Sequence, residues 1–261
     1  MNESKIEKYY GLSISAQRRK NLEKYEKIFN ISIDTSLSEN AFPADFETVP
    51  LALEHYKKTK QIVKDWRHKL GAVGCTISFY NIYKDIVKKK YKYSLIFEDD
   101  IDWNREFYGE CTSEAFRSHL DKIDFEPGAW DIFYLGTESM GAIKNQKHIK
   151  DNIYELQHGK IEEPIVLTQA ESPSIYSPTW RTGQHRAEWS PSPKERLYSS
   201  FDKSRRSNKT IHKNFGGQQA FILTYNGAVQ LLKYHNPAYE ISDGIVAYAI
   251  ANGDIKNQSF I

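Results

Sequence analysis

Residues 93–97, Tyr-Ser-Leu-Ile-Phe, form an apolar run of strand length that stops at four carboxylates within five residues, Glu98, Asp99, Asp100 and Asp102. An apolar run without polar alternation reads as a strand buried on both faces. Trp130–Leu135, ended by Gly136, and Ala220–Thr224 have the same texture, and a helix is predicted from Asn226 to about His235. Near the start, Tyr9–Ser15 is β-prone and Ser15 is a helix N-cap for the following QRRKNLEKYEKIF. Leu22, Tyr25 and Phe29 recur there at helical spacing, and Ile31–Asp34 reads as a second short strand. Strand, helix, strand is how a doubly wound α/β domain begins.

The remaining segments fill in this plan. Residues 36–50, with Pro43 and Pro50, read as a connecting loop. Residues 59–90 read as helical with an interruption at Gly71–Gly74, and Ile77, Tyr80, Tyr83 and Val87 form its apolar stripe. Residues 160–214 carry five prolines, many serines, Trp180 and Trp189, and a basic stretch through Arg205 and Arg206. That segment is expected to be an excursion within one domain covering residues 1–261, either a lid on the acceptor side or an insertion without a catalytic part.

Composition removes several function classes. Lys and Arg total 36 against 34 Asp and Glu, so no overall charge commits the chain to nucleic acid. Cys75 and Cys111 are too far apart to read as a zinc knuckle or a redox pair. The start of the sequence lacks a basic stretch leading into an apolar one, and no apolar run is long enough to span a bilayer. A cytoplasmic chain without a transmembrane segment is therefore expected.

Four crowded carboxylates repel one another unless cations or water screen them. At the carboxyl end of a central strand they would face the crevice where α/β proteins bind ligands. Hard cations such as Mg2+ and Mn2+ take oxygen ligands there, together with phosphate oxygens. A solvated acidic turn is the plain alternative.

The stretch from Leu70 to Trp103 resembles the family-25 glycosyltransferases, which include bacterial lipopolysaccharide glycosyltransferases and procollagen galactosyltransferases. The resemblance rests on Gly71, Gly74, Cys75 and Ser78, followed by a strand ending in Glu98-Asp99-Asp100. Four further blocks are similar and in the same order: LSISAQRR, with Ser13 and with Arg19 favoured over Arg18 as the family arginine; WDIFYLG; GGQQAFILTYNGAVQLL; and Ser242-Asp243. One departure is Phe79, which stands where the family often has histidine.

The resemblance implies a GT-A fold, a Rossmann-like mixed sheet flanked by helices. It implies transfer of a sugar from a nucleotide sugar, UDP-linked, to a hydroxyl of a glycan or glycoconjugate, with inversion and with Mn2+ or Mg2+. By the same resemblance Asp100 is the metal ligand, with Glu98 or Asp99 nearer the ribose. Asp100-Ile101-Asp102 is itself an Asp-x-Asp, so Asp102 stays open as the ligand. Asp243 is the candidate base or a helix N-cap. His212 is a third metal ligand or a plain loop histidine. Ser13 and Arg19 are candidate donor contacts. Two rivals remain: a sugar nucleotidyltransferase, whose Gly-rich phosphate loop this chain lacks, and an inactive transferase fold that binds a polyanion or serves structurally.

Overall fold

The computed structural model describes residues 5–13, 15–39, 70–136, 146–156, 219–235 and 242–260. Strand β1 (Lys8–Leu12) leads through Ser15 into helix α1 (Ala16–Phe29). Ser15 is extended, with φ −161°, and its hydroxyl accepts from the Arg18 backbone N–H, satisfying one of the free donors of the first turn. Asn30 closes the helix at φ 55°, in the left-handed region that asparagine enters more readily than most residues. There follow β2 (Ile33–Asp34), α2 (Ser36–Glu39), α3 (Leu70–Lys89), β3 (Tyr93–Glu98), α4 (Arg105–Tyr108), α5 (Ser113–Asp121) and β4 (Ile132–Gly136). The described elements end with β5 (Gln146–Lys150), β6 (Ile153–Leu156), β7 (Ala220–Thr224), α6 (Tyr225–His235), α7 (Ser242–Ala251) and β8 (Asn257–Phe260).

Among the described residues the eight strands join one mixed sheet in the order β2-β1-β3-β7-β4-β8-β6-β5. β1 runs parallel to β2 and β3, and β4 runs parallel to β8. β7 is antiparallel to both β3 and β4, and β6 is antiparallel to β5 and β8. The three apolar runs are thus the middle of the sheet, and their lack of alternation has a direct cause. On one face Ile96, Ile132, Tyr134, Phe221 and Leu223 pack with side chains of α3, α6 and α7. On the other, Leu95, Phe97, Phe133 and Ile222 pack with α1 and α5. Helices cover both faces, so both sets of side chains must be apolar.

Close packing also dictates a glycine. A Cβ on Gly227 would lie 2.7 Å from the Asp131 carbonyl oxygen, which lets α6 press on the start of β4.

Two expectations change, and one strand is found where none was expected. α3 runs unbroken through Gly71–Gly74; each helical glycine costs about 1 kcal/mol relative to alanine, and the buried Phe79, Ile82, Tyr83 and Ile86 of the same helix offset it. Residues 36–39 form a helical turn rather than loop, because Asp34 Oδ1 accepts from the Ser36 N–H at 3.0 Å. Residues 257–260 form β8, between β4 and β6, although their sequence is mostly polar. Phe79, where a histidine was the family expectation, is fully buried and tilted against Phe221 at 5.8 Å, so it belongs to the core. Residues 160–214, and with them Trp180, Trp189, Arg205, Arg206 and His212, lie outside the described residues. Among the described residues no helix is long and apolar enough to cross a membrane.

Candidate functional site

From β1 the chain goes outward to β2 on one side and returns to β3 on the other. The direction of winding therefore reverses between β1 and β3, and their carboxyl ends lie side by side, with Leu12 opposite Glu98. Such a reversal opens a crevice beyond the strand ends, the place where open α/β sheets bind ligands. The amino end of β7 reaches the same edge, since the Glu98 N–H donates to the Gln219 carbonyl at 2.8 Å.

The floor of the crevice is tightly built. Gly11 lies under α1, and a Cβ there would come within 2.6 Å of Leu22 Cδ1. Ser13 is 1% exposed; its N–H donates to Ser38 Oγ at 3.2 Å and its hydroxyl to the Ser15 carbonyl at 3.0 Å. Ser13 thus shapes the turn from β1 into α1. Asp34, on β2, is buried enough to oppose ionisation. Bonds from Lys8 and Ser36 outweigh that burial and hold its carboxyl below the usual range.

The wall is the acidic turn after β3, and one face of α1 grips it. Arg18, Asn21 and Tyr25 stand at helical spacing along that face. Arg18 Nη2 is 2.7 Å from Asp99 Oδ1 and 3.2 Å from Asp100 Oδ2. The Asp99 side chain is 5% exposed and that of Asp100 55%. Asn21 Nδ2 donates to the Asp99 carbonyl at 3.1 Å and to the Ile101 carbonyl at 2.7 Å. The Tyr25 hydroxyl donates to Asp102 Oδ1 at 3.2 Å and accepts from the Trp103 N–H at 3.0 Å. Burial pushes the Tyr25 phenol up to about 12; the Trp103 N–H works against this and Asp102 adds to it, so the group stays a donor.

The candidate residues are therefore divided by the fold. Asp99 and Asp100 share one cationic nitrogen, whereas Asp102 turns to Tyr25 and to the Trp103 N–H at 2.9 Å. Glu98 is the last residue of β3, and Cys75 Sγ approaches its Oε1 at 3.9 Å. Arg18 bridges Asp99 and Asp100, and Arg19, the candidate donor contact, is the next residue of α1. The Ser15 cap sets the phase of α1 and turns the third helical residue toward the acids, while the Arg19 N–H bonds the Ser15 carbonyl at 3.0 Å. Asp243 is the second residue of α7, inside its first turn rather than at the cap. Asn21 is missed by the sequence reading and Tyr25 enters it only as part of the apolar stripe with Leu22 and Phe29, although their spacing from Arg18 was the signal for a shared face.

Asp99 Oδ1 and Asp100 Oδ2 converge on one positive atom. Two such oxygens fit Mg2+ or Mn2+, ions commonly held by one or two carboxylates plus phosphate and water. Among the described residues no group of three or more His, Cys, Asp or Glu gathers as a metal site.

Fold and site together define a mixed α/β protein with an ion-paired acidic turn at the strand reversal. Residues 11–246 match the pattern of glycosyltransferase family 25 (LPS biosynthesis protein), and the chain belongs to that family. It is 24% identical over 79 residues to the Homo sapiens procollagen galactosyltransferase 2, a stretch covering 30% of this chain and 12% of that protein. Xenopus laevis procollagen galactosyltransferase 1-A is 33% identical over 70 residues, 27% of this chain and 11% of the relative. The Homo sapiens inactive glycosyltransferase 25 family member 3 is 30% identical over 74 residues, 28% of this chain and 12% of the relative. These stretches span only about an eighth of the relatives' own length.

Proposed function

We propose that this chain is a single-domain glycosyltransferase of GT-A architecture. It moves a sugar from a UDP-linked donor to a hydroxyl of a glycan or glycoconjugate, with inversion. The observation that most supports this reading is the pair Asp99 and Asp100, facing one cation at the β1/β3 reversal inside the family match. Asp99 and Asp100 would hold Mn2+ or Mg2+, which when bound supplies positive charge for the departing diphosphate. The buried Ser13 turn would seat the nucleotide end of the donor. Asp243, near the start of α7, would take the proton of the attacking hydroxyl as general base.

The test incubates the protein with UDP-galactose and a panel of other UDP-, GDP- and CMP-sugars, with glycan and collagen-like acceptors, in the presence of Mn2+. Sugar transfer and the anomeric configuration of the product are read by NMR. Transfer from a UDP-sugar with inverted configuration is expected; no transfer from any donor refutes the reading. Asp100→Ala is expected to lower transfer about 100-fold or more, the scale of losing one electrostatic contact to a transition state, with the fold retained. Full activity in Asp100→Ala and loss in Asp102→Ala would assign the ligand to Asp102 instead.

A second reading is an inactive transferase fold that binds a polyanion, and the relative named inactive favours it. It requires that UDP affinity be the same with and without Mn2+ and that no donor be consumed.

A further inference from the structure

We propose that Arg18 is a tethered counter-cation occupying the position between Asp99 and Asp100, so that a divalent metal binds only by displacing it. This rests on the donor-site reading above and adds the residue that sets metal affinity.

Three observations carry it. First, both carboxylates face the same atom: Arg18 Nη2 is 2.7 Å from Asp99 Oδ1 and 3.2 Å from Asp100 Oδ2. The oxygens offered to a metal are the ones the guanidinium already bonds. Second, the Asp99 side chain is 5% exposed. A carboxylate withdrawn from water is costly without charged or hydrogen-bonding partners, and in the absence of metal Arg18 supplies a positive one. Third, the guanidinium borders water. Arg18 is 39% exposed and is tied to the site through its backbone in the first turn of α1. When displaced, the charged head moves into water while its stem stays on the helix.

The competition follows from charge. Arginine does not lose its proton, so it cannot yield the site by neutralising. A dication at the same two oxygens would sit a few ångströms from a fixed positive charge and be repelled. The metal must therefore expel the guanidinium, and its apparent affinity falls by the strength of the ion pair. A diphosphate that accepts the freed guanidinium, through the paired donors that suit phosphate oxygens, relieves this cost. Metal and nucleotide then promote each other's binding by the same factor.

The experiment measures Mn2+ binding to the full chain without nucleotide, from the electron paramagnetic resonance signal of free Mn2+. Wild type, Arg18→Gln and Arg18→Lys are compared, with folding checked by circular dichroism. Arg18→Gln is expected to bind Mn2+ roughly tenfold more tightly than wild type. Arg18→Lys keeps the charge and is expected to stay within about threefold. Adding Asp100→Asn to Arg18→Gln should abolish the gain. Arg18→Met, which drops the charge and keeps the stem, replaces the glutamine variant if that one does not fold. Equal affinities in wild type and the uncharged variants would overturn the proposal. So would a gain in Arg18→Lys as large as in Arg18→Gln, or no Mn2+ binding by any of them. Whether sugar is transferred at all is decided separately, by the donor panel.

Discussion

Asn21 is the residue on which the shape of the acidic turn most depends. Its amide nitrogen donates to two carbonyls, Asp99 at 3.1 Å and Ile101 at 2.7 Å, and thereby ties the turn to α1. Asn21→Ala removes both bonds and leaves no donor in their place. A typical intramolecular hydrogen bond contributes about 1 kcal/mol net, and stranding a partly buried acceptor costs more, so the expected loss is about 2–3 kcal/mol. For a chain of this size each kcal/mol lowers the melting temperature by about 2–4 °C, which puts the variant about 4–12 °C below wild type. Asn21→Asp cannot donate and adds a charge beside Asp99 and Asp100, so it should melt lower still. Thermal and urea denaturation of the three proteins, followed by circular dichroism, make the comparison. A melting temperature for Asn21→Ala within about 1 °C of wild type would refute the clamp. So would Asn21→Asp melting above Asn21→Ala.

Two other predictions concern the frame around the site. Gly227→Ala would place a Cβ 2.7 Å from the Asp131 carbonyl oxygen and 2.8 Å from Leu223 Cδ1. Overpacking of this kind costs about 1–3 kcal/mol, read as a lower urea midpoint; an unchanged midpoint would show that α6 can slide. His235 is fully buried, and burial lowers its pKa from 6.5 to about 4, with the bond to the Leu231 carbonyl acting the other way. Between those values the unfolded histidine binds a proton that the native one does not. Its contribution to stability is therefore complete above pH 6.5 and is lost as pH falls toward 4, by about 3 kcal/mol over the window. His235→Phe should flatten the fall in urea midpoint from pH 7 to pH 4.5, and parallel curves for the two proteins would contradict this.

The centre of the sheet was legible in the chain before folding was considered. Tyr93–Phe97, Trp130–Leu135 and Ala220–Thr224 became β3, β4 and β7, each shifted by no more than two residues at an end, because burial on both faces leaves a continuous apolar run that can be read locally. Ser15 was legible as a cap, and Leu22, Tyr25 and Phe29 as the buried stripe of α1, for the same reason: both signals lie within a turn or two of helix. The four carboxylates after β3 marked a strand end with chemistry to explain. What acts on them was decided by tertiary structure. Arg18 and Asp99 are 81 positions apart and meet only because β3 pairs beside β1, with α1 folded back over that edge. The polar strand β8 likewise has no pattern of its own; it is a strand because β4 and β6 offer it their backbone groups. Periodicity is a property of neighbours in sequence, whereas the partner of a charge or of a strand is chosen by the order in which the sheet assembles.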